Sequence, residues 1–371
     1  MNEEIDFEEL APWLLVIITL VGGALRVLLL GIKGMSLDET FSVWMASHSV
    51  VEMLQWIIKI DPNPPLYYFL LHFWIALTGD TPYHVRLLSL LFGAGTIPII
   101  YLLAKRMGGV MMGLAAAALL ACSPFHIFYG QETGMYTLLT FNAAIAIYAL
   151  VRLLTDSHSA RPIGSQFREY LHAWRSPEPV EPGSKGDFSD MVEPRVQTRW
   201  RAWILRHRWL PIQAIETDLA WFTFIVFSAA TLFSHNAAVL FPLATNLFVL
   251  GLMLFHRTKK SETQPALQAP SFWNWAKVQV GIFLIWIPWI APFIKQASAV
   301  YQRFWIPEPT WGAVMQVLRS FLNASGPIPA NIARVIWILF SLVLCLGLGH
   351  YLKRISQFLL LATLFAIPFL G

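Results

Sequence analysis

The sequence predicts an all-α polytopic membrane protein, and three observations predict it. Hydrophobic residues make up 56% of the 371-residue chain and charged residues only 13%, where a soluble domain carries roughly 25% charge. Mean hydropathy is +0.56. The apolar residues lie in uninterrupted runs of about 20, the length a helix needs to cross a hydrocarbon core of ~30 Å. A soluble globular enzyme, a disordered chain and a coiled coil are thereby excluded. The isoelectric point near 9.1 does not argue for nucleic acid: the formal excess is +4, and the basic residues cluster between apolar runs, where membrane topology places them. Cys122 and Cys345 fall inside apolar runs without metal-ligand spacing, and read as packing residues.

Taken in order, apolar runs at about 12–32, 84–104, 109–125, 133–153, 218–234, 236–255, 275–294, 331–350 and from about 355 onward predict nine spans. The first is no cleaved signal, because the preceding MNEEIDFEEL is acidic where a signal peptide is basic. The last run reaches Gly371 without a closing loop, so the architecture is expected to continue past it. Residues 65–79 are ambiguous. About fifteen residues make ~22 Å of helix, short for a crossing. With this stretch held at the interface and the N-terminus in the cytoplasm, the inside loops carry Lys105 and Arg106, the bases from Arg152 to Arg208, Arg257, Lys259 and Lys260, and Lys353 with Arg354. The outside turns near 126–132 and 235 then carry none, and the loop 295–330 only Lys295, Arg303 and Arg319. Short basic loops stay inside, which favours this arrangement. The acidic residues before the first span and Arg26 and Lys33 after it point the other way, and would move residues 34–64 to the cytoplasm.

The chain divides into an N-terminal module (1–153) with its first outer loop at 34–83, a basic, proline-rich cytoplasmic insert (154–216), and a C-terminal set of helices (217–371) with an outer loop at 295–330. Within the insert, 161–195 has the composition of poorly ordered chain, and RWRAWILRHRWL at 199–210 suits either an anionic leaflet surface or a snorkelling helix end. In the first outer loop, Val50, Met53, Leu54, Ile57 and Ile58 share one helical face opposite Glu52, Gln55 and Lys59, predicting an interfacial helix. Asp61-Pro62 ends it, and Asn63-Pro64-Pro65 forms a rigid corner.

Ionisable groups next to the apolar zone are costly and therefore functional candidates. Asp38, Glu39, Arg86, Glu132 and His235 come to one edge of the bundle in the favoured topology. Each has a plainer reading: Asp38 or Glu39 as a helix cap, Arg86 as a snorkelling base, Glu132 as an acid at a helix start, His235 as an ordinary loop histidine. Their convergence suits transfer from a phosphate leaving group, in which a carboxylate takes a proton from a hydroxyl and an arginine holds departing phosphate oxygens. No P-loop, GxSxG, HExxH or CxxC motif points elsewhere.

Four pieces in order, SLDETF at 36–41, PNPPLYYF at 62–69, HVRLLSLLFG at 84–93 and SPFHIFYGQETGMY at 123–136, resemble the membrane glycosyltransferases of the GT-C superfamily. The resemblance is to the group that holds the protein O-mannosyltransferases and aminoarabinose transferases. FWIPEPTW at 304–311 resembles the group's late aromatic-proline segment. The resemblance implies a GT-C-type bundle that moves a sugar, with inversion, from a polyprenyl-phosphate donor to a protein, lipid or glycan acceptor at the extracytoplasmic face. Carried over by residue, Asp38 is the general base and Glu39 its acidic partner. Arg86 corresponds to the essential arginine and holds the donor phosphate, while Glu132 and Tyr136 fall in a Glu-x-Arg-x-Tyr pattern. His235, Arg303 and Trp305 join as substrate-binding candidates, with Tyr67 or Tyr68 as stacking partners. Two positions depart: Asn63 stands where histidine is common, and Gly134 where the pattern has arginine, a loss that Arg303 or Lys295 would have to make good. Some relatives use a divalent metal, but no ligand cluster here compels one. A lipid or solute transporter and a non-catalytic assembly subunit stay open as alternatives. The first is disfavoured by the absence of an internal repeat and of charges at the bilayer midplane.

Overall fold

The computed structural model describes residues 7–28, 30–61, 63–155, 163–168, 216–256, 267–302, 330–352 and 354–370, with scattered positions between 310 and 319. Thirteen helices account for these segments. α1 (Phe7–Val27) is followed by three short helices, α2 (Leu37–Ala46), α3 (Val50–Ile60) and α4 (Leu66–Thr78). Then come α5 (Pro82–Gly108), α6 (Val110–Ala121), α7 (Pro124–Gly130) and α8 (Tyr136–Thr155). The remainder are α9 (Glu216–Leu232), α10 (Leu240–His256), entered through a 3₁₀ turn at Asn236–Val239, α11 (Phe272–Gln302), α12 (Ala330–Leu352) and α13 (Ile355–Leu370).

The all-α membrane architecture is as the sequence predicts, and each of the nine predicted runs carries helix, although the count of nine crossings is not established. Among the described residues five helices are long and apolar enough to cross a bilayer, and the bent pair α6–α7 makes a sixth. The run at 109–125 is broken because Ser123 accepts from His126 N and Pro124 restarts the helix, giving a 58° bend. That break exposes backbone carbonyls at membrane depth, which hydrocarbon does not tolerate. Arg26, inside α1 and fully buried, meets them. Its guanidinium donates to Leu120 O (3.1 Å), Ala121 O (3.1 Å) and Gly22 O (2.7 Å) and lies 2.9 Å from His126 Nδ1. Gly93 and Gly130 leave it room: a Cβ on Gly130 would stand 3.2 Å from Arg26 Cδ.

The first outer loop folds as short capped helices. Ser36 caps α2 and Ser49 caps α3, each in a reciprocal capping box with a glutamate three residues on, Glu39 and Glu52. Asp38 is therefore not the cap. α3 ends at Asp61 as expected, and turns Met53 and Ile57 into an apolar cluster with Tyr67, Tyr68 and Leu71 of α4 and Trp289 of α11. α4, 13 residues and so ~20 Å long, stays at one end of the bundle. Leu66 N donates to Phe233 O at the end of α9, while near its other end Trp74 Nε1 donates to His84 O at the start of α5. Gly79, at φ 93°, terminates it, a conformation only glycine adopts freely.

The opposite end gathers the bases. Arg106 donates to Thr155 Oγ1, Arg152 pairs with Glu216, and Arg354 donates to Met107 O. Most of the 154–216 insert lies outside the described residues. Its piece 163–168 docks on the start of α9, where Asp218 accepts from Gly164 N and Phe167 N and Gln166 is buried. Cys122 and Cys345 are free and exposed, not packed, which corrects the sequence expectation; both face outward from their helices.

Candidate active site

At the end of the bundle away from those bases, the loop after α1 meets the starts of α2, α5 and α8. Arg86, one turn into α5, is wholly buried, and its five N–H groups are all engaged. Nε and Nη2 grip the two oxygens of Glu39 at 2.7 and 2.9 Å; Nη1 donates to Leu30 O and Lys33 O, and Nη2 also to Gly34 O. Glu39 accepts in addition from Ser36 N (2.9 Å) and Thr133 N (3.0 Å). Burial alone would raise the Glu39 carboxyl, but the Arg86 hydrogen bonds, then those of the backbone, outweigh it and hold it down to about 2. One ion pair thus ties together the loop 30–36, α2, α5 and the turn 131–135.

This geometry alters two roles carried over from the resemblance. Arg86 has no N–H left for a phosphate, so it is a clamp on the outer loop, not the holder of the donor. Glu39 is committed to that clamp and is not a second acid beside substrate. Asp38, one residue earlier and about 100° around the helix, is exposed, and its carboxylate has no hydrogen-bond partner among the described residues.

Asp38 does not stand alone. Its charge and that of Glu132 both act on the hydroxyl of Tyr136, which is 40% exposed at the first residue of α8. Glu132 pairs with Lys33 at 3.1 Å, and the Lys33 ammonium sits 4.5 Å above the Phe128 ring. Tyr136 packs against Tyr129 (4.6 Å between ring centres) and lies 6.1 Å from the ring of His235. His235 Nδ1 accepts from Ala237 N, and burial lowers its affinity for a proton, so the neutral ring presents Nε2–H. Asp38, Glu132, Tyr136 and His235 therefore share one patch, with Glu39 and Arg86 immediately beneath it.

The other candidates fall differently. Arg303 and Trp305 lie outside the described residues. Tyr67 and Tyr68 are buried at 0% and 2% exposure, Tyr67 bonded to Ser89 Oγ, so neither can stack on a substrate. Lys295 is exposed on α11, next to Gln296, which donates to Asp61 O. Among the described residues no group of three or more His, Cys, Asp and Glu side chains is placed to hold a metal ion. Sequence reasoning missed three positions. In the sequence Lys33 is only a topological charge, although it projects into the patch. Arg26 looks like a flanking base, although it is buried on the break between α6 and α7; a lone base inside an apolar run is the available signal. Asp61 is a helix stop, yet it is also 3% exposed, accepts from Asn63 N and Nδ2, and has its carboxyl pushed up by burial.

Residues 62–162 match the model of the dolichyl-phosphate-mannose-protein mannosyltransferase family, a likeness confined to that segment. No curated protein and no solved structure matches the chain. The matched segment holds Arg86, Glu132 and Tyr136 and begins after Asp38 and Glu39. Two of its groups, the Arg86 side chain and Thr133 N, are what hold Glu39 and hence fix α2 against it.

Proposed function

We propose that this chain transfers a sugar, with inversion, from a polyprenyl-phosphate-linked donor to an acceptor hydroxyl at the extracytoplasmic face of a membrane. The observation that carries the reading is the contrast on α2: of two neighbouring acids, one is spent on a buried clamp and the other is exposed, with no hydrogen-bond partner for its carboxylate among the described residues, in the patch of Glu132, Tyr136 and His235. A general base needs such exposure and freedom. In the proposed step the acceptor oxygen attacks the anomeric carbon on the face opposite the phosphate. Its proton passes to the Asp38 carboxylate. The bond from that carbon to the phosphate oxygen breaks, and the electron pair leaves with the phosphate. Tyr136 O–H and His235 Nε2–H are neutral donors suited to the sugar hydroxyls or to the departing oxygen.

Charge supports the choice of side. Lys105, Arg106, Arg152 and Arg354 gather at the end opposite Asp38, and short basic loops remain in the cytoplasm. That supports an outward-facing patch, where a lipid-linked donor is within reach of the bilayer surface.

The test is Asp38→Asn in the full chain, reconstituted with a polyprenyl-phosphate sugar. Transfer should be lost while membrane insertion and the melting temperature match the parent; transfer at the parent rate would reject Asp38 as the base.

A further inference from the structure

With Arg86 saturated and Gly134 lacking a side chain where the pattern has arginine, the patch needs another cation for a phosphate, and the structure offers one. We infer that Lys33 supplies the cation that engages the phosphate of the lipid-linked donor, replacing the arginine absent at position 134; this rests on the transferase reading above. Lys33 lies on the loop after α1, and its backbone carbonyl accepts from Arg86 Nη1 at 2.8 Å, so the clamp fixes where its side chain starts. The Lys33 side chain is 45% exposed. Of its three protons one points to Glu132 Oε1, leaving two for phosphate oxygens. The ring of Phe128 below it supports the charge.

Glu132, bonded to Lys33, stands two residues before Gly134 in the same turn. The ammonium therefore occupies the neighbourhood that an arginine at 134 would serve. From Lys33 an aromatic strip leads along α7 to α8: Phe128, Tyr129 and Tyr136 follow one another at 5.3 and 4.6 Å between ring centres, ending at His235. A phosphate at Lys33 would place the groups on either side of it, sugar and isoprenoid, along an apolar edge with hydroxyls at intervals. Position 134 itself admits a side chain, since a Cβ there would meet only the Tyr136 ring, at 3.4 and 3.6 Å.

Binding of a polyprenyl phosphate to the full chain in phosphatidylcholine nanodiscs, with the phosphate-free polyprenol as control, tests the inference. Lys33→Ala should weaken polyprenyl-phosphate binding about tenfold or more, as loss of a charge-assisted contact does, and leave polyprenol binding as it was. Lys33→Arg should retain affinity, and Gly134→Arg placed on Lys33→Ala should restore much of it. Glu132→Gln, which leaves Lys33 in place and removes a competing charge, should tighten binding several-fold. Unchanged affinity in Lys33→Ala, equal loss for the polyprenol, or weaker binding in Glu132→Gln would overturn the inference. Displacement of the polyprenyl phosphate by equimolar phosphatidylglycerol would overturn it too, by making the site one for bulk lipid headgroups. Asp38→Asn separates this idea from the transferase reading: it should bind like the parent and not turn over. Lys33-dependent binding in a parent chain that transfers no sugar would reject the transferase and leave Lys33 assigned.

Discussion

Asp38 and Glu39 are adjacent acids on the first turn of one short helix, and their surroundings differ almost completely. Glu39 is buried, accepts four hydrogen bonds and is fixed by Arg86; Asp38 is exposed and without a described partner. A helical step of about 100° separates them. The comparison teaches that an acidic pair at the end of a span is not a unit: one member can be consumed in building the platform on which the other works. It also shows where a conservative exchange hurts. A charge removed from the platform should be felt in folding, and on the proposed reading a charge removed from the top should be felt in chemistry alone.

Five measurements sharpen or break this division. Asp38→Asn has the largest expected effect, a loss of about 10²–10⁴ in transfer rate if it removes a general base, with no change in melting. Next comes Glu39→Gln, which leaves Arg86 as an uncompensated buried charge. Breaking such a pair costs about 3–5 kcal/mol, so detergent-solubilised protein should melt well below the parent. Arg86→Lys should fall nearly as far, because an ammonium cannot span both Glu39 oxygens and three carbonyls. If Glu39→Gln melted like the parent while losing transfer, the roles of the two acids would be reversed. A smaller effect is expected from Tyr136→Phe, which removes one exposed hydroxyl and should lower transfer several-fold with melting intact.

The smallest effect is one of pH. The Glu39 carboxyl ionises at about 2 when folded against an ordinary value of 4.5. Its stabilising contribution is therefore present in full above about 4.5 and disappears as acidity increases through about 2. Melting followed between pH 5 and pH 3 should show the parent weakening, and Glu39→Gln should lack that component.

Much of the fold was legible in the sequence because hydrocarbon imposes a length and a composition that few other environments share. The early helices and the stop at Asp61 follow from local chemistry within a few residues. The short run at 65–79 is not decided by sequence, because its length argues against a crossing while the charges around the first span argue the other way. The site was legible as a neighbourhood but not as an assignment of roles. Whether Asp38 or Glu39 faces outward is decided by Arg86, 47 residues beyond Glu39, and no local pattern records that pairing. Lys33 was obscured for a different reason: a base just past a span is commonplace, and only the folded turn at 131–135 brings Glu132 and Phe128 to it. Tyr67 and Tyr68 misled in the opposite sense, since tyrosines beside a prolines-rich corner suit a binding face equally well until α2 and α3 are packed over them.

The buried guanidinium of Arg26 carries a consequence for mechanics. Because it is bonded to Leu120 and Ala121 across the broken crossing, the first helix is keyed in height to the sixth and seventh. Sliding either by a turn would strand a positive charge in oil. Lys33 follows Arg26 by seven residues, so adding or deleting a residue between them should lift or lower the ammonium relative to the aromatic strip while α1, α6 and α7 stay keyed.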